Sequence, residues 1–259
     1  MRYSLFALAI AAGITASPAS AGANFVTNGD FSDLTNGVGQ ITELYDITYA
    51  VGWTTWGYNK VMSDGNVAVM TQHGDAPNFA LWTQANGGAN TWDGLAPNGS
   101  NFVAMNSVYN ADRVYQTIDG LTVGDRYTLA FDNAFGQQRL LDGSGYDGPT
   151  TQTFSVYFQP SSASWDQNDP VWSMASDLPS HGFEGWFAEN LTLTATSASE
   201  VLSFFVSGSP SLPPYSLFTN VSLTEGAVPE PATWAMALAG FAGLGLAGWR
   251  SARKAARAA

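Results

Sequence analysis

Residues 114–132 have the sequence VYQTIDGLTVGDRYTLAFD, and this stretch decides the fold. β-Branched and aromatic residues dominate up to Ile118, glycines follow at positions 120 and 124, and a second such run begins at Tyr127. Short runs of this kind that are bounded by glycine turns are typical of antiparallel β-structure. The stretch therefore predicts a strand that turns over a glycine-containing loop and returns along the same sheet.

The same pattern extends over residues 22–226. No window there carries apolar residues at helical spacing over three turns. Eleven short runs predict strands instead, with polar and glycine-rich turns between them. They cover residues 24–27, 51–56, 67–70, 79–82, 102–105, 114–118, 127–131, 154–158, 191–196, 201–206 and 217–223. About 200 residues in this arrangement predict one all-β body, a single β-sandwich of the jelly-roll type.

Two further motifs accompany residues 114–132. Residues 24–31 are NFVTNGDF, and residues 218–223 near the end of the body are FTNVSL. Together with the Gly52-Trp53 pair, these segments resemble the galactose-binding-like jelly roll that many carbohydrate-binding modules share. The resemblance implies a sandwich fold and a capacity to bind polysaccharide.

The resemblance also implies a structural calcium ion near Asp30. In that fold the first-strand Asn-Gly-Asp turn and the last strand often lie beside the ion, and calcium prefers several oxygen ligands. This chain has Thr219 where relatives usually place an aspartate. The alternative is that Asn28 and Asp30 close an Asx-type turn without a metal. No other cofactor is expected.

Residues 1–21 have the features of a secretory signal peptide. Arg2 precedes an apolar run at residues 5–14, and Ala19-Ser20-Ala21 supplies the small residues that a signal peptidase requires. The mature chain is therefore expected to begin after Ala21, outside the cytoplasm.

The C-terminal end predicts a membrane anchor. A linker at residues 227–231 precedes eighteen uncharged residues, 232–249, and the basic tail 250–259 follows. Eighteen helical residues span about 27 Å, close to the thickness of a bilayer core. Because basic residues favour the cytoplasmic side, the tail should lie in the cytoplasm and the body outside.

The linker carries a more specific motif. Pro229-Glu230-Pro231 is followed by Trp234-Ala235. This pattern, with the apolar stretch and basic tail, resembles the PEP-CTERM sorting signal of Gram-negative bacteria that make exopolysaccharide. The resemblance implies processing by exosortase, a membrane-embedded cysteine protease, with transient inner-membrane anchoring before release to the cell surface or extracellular matrix. Related tails have also been labelled as C-termini of ice-binding proteins.

Composition excludes several classes of function. The chain has 21 acidic and 9 basic residues and no cysteine. Five of the basic residues and one acid lie in the two ends, so the body carries a net charge of -16. An electrostatic binder of nucleic acid is excluded by that charge. Disulfides, cysteine nucleophiles and thiolate metal sites are excluded by the absence of cysteine.

No catalytic residue is assigned from the sequence. The glycines of residues 143–148 match G-x-G-x-x-G by letter, but Pro149 and a predicted strand follow instead of a helix. His73 and His181 stand in predicted loops without the local pattern of a triad or metal centre. Glu184 and Glu189, five residues apart, are expected on opposite faces of an extended strand.

Tryptophans in loops are the remaining candidates for recognition. Trp92 and Trp165 lie in stretches rich in Asn and Asp, and sugar C–H edges stack on indole faces. They are predicted to form a glycan-facing platform on a non-enzymatic surface or matrix protein. The alternatives are an exported hydrolase acting on glycans, whose catalytic residues the sequence does not identify, and an ice-binding protein.

Overall fold

The computed structural model describes residues 22–41, 47–71, 76–107, 112–141, 147–210, 214–226, 238–245, 249 and 253. Twelve strands are described within these ranges. They are β1 Gly39–Ile41, β2 Thr54–Trp56, β3 Asn59–Met62, β4 Phe79–Leu81, β5 Phe102–Asn106, β6 Arg113–Asp119, β7 Arg126–Leu140, β8 Thr150–Pro160, β9 Trp172–Leu178, β10 Phe183–Thr194, β11 Ser199–Ser209 and β12 Pro214–Glu225.

The strands form two antiparallel sheets that pack face to face. The seven-stranded sheet has the order β1-β3-β5-β12-β7-β10, and β4 pairs with the end of β7. The five-stranded sheet has the order β2-β6-β11-β8-β9. The predicted antiparallel β-sandwich of jelly-roll type is confirmed.

The main core lies between the two sheets. Alternate residues of each strand point into it, as the period of two requires. Phe131, Phe154, Phe204 and Phe218 come from four different strands, and their rings pack at centroid distances of 4.3 to 6.1 Å. Trp53 packs against the same rings, and its Nε1 donates to the carbonyl of Asn28 at 3.0 Å. These aromatic contacts hold the sheets together.

A second apolar cluster covers the opposite side of the seven-stranded sheet. Ala134 and Leu217 point away from the main core and pack there with Phe79 and Trp92. Phe79 and Trp92 belong to residues 76–100, which therefore cover this outer face. A sheet that is buried on both sides loses the simple alternation of apolar and polar residues.

The observed strands differ from the predicted ones in several places, and the double burial explains the differences at β7 and β3. β7 continues nine residues beyond the predicted end at Phe131, through buried polar residues such as Asn133 and Gln137. β3, which contains the buried Lys60, was not predicted, and neither were β1 and β9. Residues 24–27 form an isolated bridge between Asn24 and Thr224 instead of a strand.

The C-terminal segment is described in part. Residues 238–245 are helical. Within the ranges described, no helix is long and apolar enough to cross a membrane. Residues 232–237 and 246–248 of the predicted span lie outside the described residues, as do the signal peptide and the motif residues Pro229 to Ala235. The predicted boundaries of the signal peptide, body, linker and anchor stay predictions.

Candidate functional site: the aromatic face of the five-stranded sheet

The outer side of the five-stranded sheet carries a row of aromatic side chains. On β6, Val114 points into the core, so Arg113 and Tyr115 point outward. β2 pairs with β6 and places Trp56 directly opposite Arg113. Trp56 is 59% exposed, an unusual position for a side chain of this size. Trp56, Arg113, Tyr115 and Trp165 are called the aromatic face below.

Arg113 is held between two rings of the aromatic face. Its guanidinium carbon lies 4.2 Å from the ring centroid of Tyr115 and 4.6 Å from that of Trp165. Nε and Nη2 both donate to the Ser203 hydroxyl, at 3.1 and 2.8 Å. Partial burial lowers the pKa of the guanidinium from its ordinary value, although it stays charged. The cation therefore fixes the spacing of the two rings.

Trp165 comes from the loop between β8 and β9. This loop is tied to β8 because the Tyr157 hydroxyl donates to Gln167 O at 2.9 Å and Gln159 exchanges two hydrogen bonds with the backbone of Asp166. Beneath the indole lie the rings of Tyr157 and Phe205, at 5.8 and 5.3 Å. Burial raises the pKa of the Tyr157 phenol. The loop thus holds Trp165 against the sheet.

A buried carboxylate holds the chain beyond Trp56. Asp112 accepts the backbone N–H of Tyr58 at 3.0 Å, and Asn59 Nδ2 donates to Trp56 O at 2.9 Å. Burial raises the pKa of Asp112 to about 7, against the opposing effects of the Tyr58 N–H and the Lys60 ammonium. Burial likewise lowers the pKa of Lys60 to about 8. These buried groups fix the turn at residues 57–58, and with it the end of β2.

Trp92 lies on the other side of the molecule. It is only 7% exposed, stacks on Phe183 with centroids 4.1 Å apart, and donates from Nε1 to Leu95 O. The structure therefore does not bring Trp92 and Trp165 together, and carbohydrate binding by each of them stays a prediction. The two residues belong to opposite outer faces of the sandwich.

Asp30 closes its own turn. Its Oδ1 accepts the backbone N–H and the hydroxyl of Ser32, at 3.2 and 2.9 Å. Among the described residues, no group of three or more His, Asp or Glu side chains could hold a metal ion. This geometry matches the Asx-type alternative, and the structural calcium remains a prediction without a described ligand set.

The two glutamates do not form a catalytic pair of the usual spacing. A β-bulge at Trp186 places Glu184 opposite Phe135 and Glu189 opposite Phe131, so both glutamates share one face of β10. The expectation that Glu184 and Glu189 lie on opposite faces is therefore wrong. Their partners lie four residues apart on β7, about 14 Å along a strand. Glycoside hydrolysis needs carboxylates about 5 to 10 Å apart.

His181 lies in a turn, as predicted. Its Nε2 is 2.6 Å from Asp147 Oδ1, and its ring stacks on Trp82 at 3.8 Å. The pair joins three loops at one end of the sandwich and has a structural explanation. His73 and most of the glycine-rich loop at residues 143–148 lie outside the described residues.

Sequence reasoning missed Trp56, Arg113 and Tyr115 as members of a site. Trp56 was assigned to a predicted strand, and a strand tryptophan is usually buried. Arg113 and Tyr115 alternate with the buried Val114, which is a pattern that could have revealed an aromatic outer face on β6. The pairing of β2 with β6, which completes the row, is not visible in the sequence.

The chain is thus an antiparallel β-sandwich with one exposed aromatic face. Residues 227–254 match the family model of the PEP-CTERM protein-sorting motif. This match confirms the prediction from Pro229-Glu230-Pro231 and implies an exported protein that an exosortase-type membrane protease processes. The motif also implies transient anchoring at the membrane before display at the surface.

Several solved structures are similar in fold. A CBM4 carbohydrate-binding module is 14% identical, with 77% of this chain and 99% of that chain covered and a TM-score of 0.36. TmCBM61 in complex with β-1,4-galactotriose is 11% identical, with 79% and 99% covered and a TM-score of 0.33. The N-terminal cellulose-binding domain of Cellulomonas fimi β-1,4-glucanase C is 14% identical, with 68% and 90% covered and a TM-score of 0.31. No curated protein sequence matches the chain.

Proposed function

We propose that this protein is a cell-surface or matrix component that binds neutral polysaccharide through the aromatic face. The observation that carries the proposal is the exposed indole of Trp56 opposite Arg113, whose guanidinium stacks on the rings of Tyr115 and Trp165. Sugar rings present C–H edges that pack on such electron-rich faces. Rings that come from β2, β6 and the loop between β8 and β9 suit an extended chain better than a single small molecule.

Charge supports neutral sugars as the partner. The body has a net charge of -16, so it repels anionic polymers at long range. Arg113 is the basic residue of the aromatic face, and two of its N–H groups already donate to Ser203. Stacking and hydrogen bonding therefore supply the affinity, and both depend weakly on salt.

Binding without catalysis is part of the proposal. The acids that flank Trp186 are separated by about 14 Å along the strand, farther apart than the carboxylates of glycoside hydrolysis. A glycan laid across Trp56 and Tyr115 would meet rings, a guanidinium and hydroxyl groups. These groups bind and orient a sugar chain.

Replacement of Trp56 by alanine is expected to weaken polysaccharide binding about tenfold, a loss of about 1.4 kcal/mol, because one exposed stacking ring is removed. The full chain, purified in a detergent without a sugar headgroup, is titrated by calorimetry against glucan, galactan, xylan and a uronic-acid polymer. Trp165→Ala should weaken binding as well, because it removes a second ring and takes away one of the two rings that hold the Arg113 guanidinium.

Tyr49→Ala serves as the matched control, since Tyr49 is an exposed aromatic residue outside the aromatic face. It should bind like the wild type. The proposal fails if Trp56→Ala and Trp165→Ala both bind with unchanged affinity. It also fails if the uronic-acid polymer alone binds and moderate salt abolishes that binding.

A further inference from the structure

An open depression of about 380 Å³ lies on the outer side of the seven-stranded sheet. Thr91, Trp92, Asp93, Phe183 and Gly185 line it. Its volume falls within the range of small-ligand sites. The edges of the stacked Trp92 and Phe183 rings supply apolar surface, Gly185 presents no side chain, and Thr91 and Asp93 supply oxygen atoms. The exposed lining is thus mainly polar, with a smaller apolar share at the ring edges, which suits the hydroxyl and C–H groups of a sugar.

The segment that carries Trp92 is held rigidly. Trp92 Nε1 and Trp186 Nε1 both donate to Leu95 O, at 2.8 and 3.0 Å. Gly65 is required beneath the indole, because a Cβ there would lie 2.5 Å from the Trp92 ring. A lining that is fixed before binding reduces the entropy lost when a ligand is bound.

Hydrogen-bond capacity remains at the rim of the depression. Asp93 is exposed, and its Oδ1 accepts the Leu95 N–H at 3.0 Å. A carboxylate has about four lone-pair sites, so Asp93 can accept further hydrogen bonds from hydroxyl groups. Thr91 is also exposed at this rim. Sugar hydroxyls, which both donate and accept, match this pair of side chains.

The depression and the aromatic face lie on opposite sides of the sandwich. Trp92 packs on outward residues of the seven-stranded sheet, whereas Trp165 packs on outward residues of the five-stranded sheet. The whole two-sheet core separates them, and packed sheets are about 10 Å apart before their outer side chains are counted. Two polysaccharide chains can therefore be bound at once without contact between them.

We propose that the depression is a second glycan site, and that the protein cross-links polysaccharide chains by holding one on each face. This inference rests on the proposed function of the aromatic face. A protein with two opposed sites joins polymers into a network, whereas a protein with one site only coats them. Cross-linking gives a matrix component a mechanical role.

The test measures bridging by the full chain in the same detergent. Beads are coated with whichever of glucan, galactan or xylan binds in the titration, and the same polymer with a fluorophore is added in solution. Wild type should capture the fluorescent polymer. Thr91→Tyr, which fills the depression from its exposed rim, and Trp56→Ala should each keep some binding to the beads and lose capture at least about tenfold. Thr122→Tyr, another exposed threonine, should behave as wild type.

An equal mixture of Thr91→Tyr and Trp56→Ala separates one bridging molecule from a pair of molecules. The mixture should not capture the polymer, because neither variant has two intact sites. If the mixture captures the polymer, or if Thr91→Tyr captures as much as wild type, the second site is overturned. Glycan binding by the aromatic face is not contradicted by either result. If neither substitution affects binding to the beads, or if no neutral polymer binds, both proposals fail.

Discussion

Mature protein recovered from the cell surface should lack residues 232–259 and should end close to Pro229-Glu230-Pro231. The two prolines remove backbone donors and confine the residues before them to extended conformations. An extended, unpaired backbone beside the membrane is what a protease needs as its substrate. Since the match at residues 227–254 implies processing of this tail, nearly all surface material should be shortened. Mass spectrometry of the intact protein and its C-terminal peptides detects the loss of residues 232–259.

Replacing Pro229 and Pro231 together by alanine should leave the full chain in the membrane fraction and abolish release. The matched control replaces Pro149 and Pro179, which are exposed prolines of the body, and should be processed normally. Surface-released protein that still contains peptides from residues 232–259 would contradict processing and leave a simple anchor.

Gly57→Ala is expected to destabilise the body by about 3 kcal/mol, with weaker polysaccharide binding as a consequence. Gly57 has a φ of 92°, where an L-residue costs about 1 to 2 kcal/mol. A Cβ there would also lie 1.9 Å from Asp112 Oδ1. Moving that carboxylate breaks its bond to the Tyr58 N–H, and leaving a buried group unpaired costs about 1 to 3 kcal/mol. Denaturant unfolding followed by tryptophan fluorescence measures the loss.

Gly124→Ala separates the effect of backbone strain from the effect of displacing the Asp112 carboxylate. Gly124 has a φ of 89°, nearly the same as Gly57, but a Cβ there meets nothing within 4 Å. It should lose about 1 kcal/mol, from backbone strain alone. Equal losses for the two variants would contradict a role of Asp112 in holding the turn that follows Trp56.

The sandwich was predictable because its turns and half-buried strands follow local rules. Gly120 and Gly124 have φ values of 81° and 89°, which residues with a side chain rarely adopt. The two glycines therefore indicate the positions of their turns in the sequence. β3 was missed because both of its faces are buried and Lys60 resembles a surface residue. The Lys60 ammonium donates hydrogen bonds to Tyr58 O and to the Tyr215 hydroxyl, and these contacts arise from the tertiary fold.

The candidate site was predictable in part. Trp165 was selected because a tryptophan in a polar loop is costly without a partner, and the structure places it on the aromatic face. Trp92 was selected for the same reason and is buried, because residues 76–100 fold back over the sheet. The convergence of Trp56 with Arg113 depends on the register between β2 and β6, and a register is a long-range property that local pattern does not specify.

A crystal structure of the protein with a bound neutral oligosaccharide tests glycan binding by the aromatic face. A sugar ring is expected to lie on the Trp56 indole with its carbon atoms about 4 Å away, and the chain is expected to continue toward Tyr115 and Trp165. An oligosaccharide bound elsewhere, with Trp56, Tyr115 and Trp165 free of sugar, would contradict it.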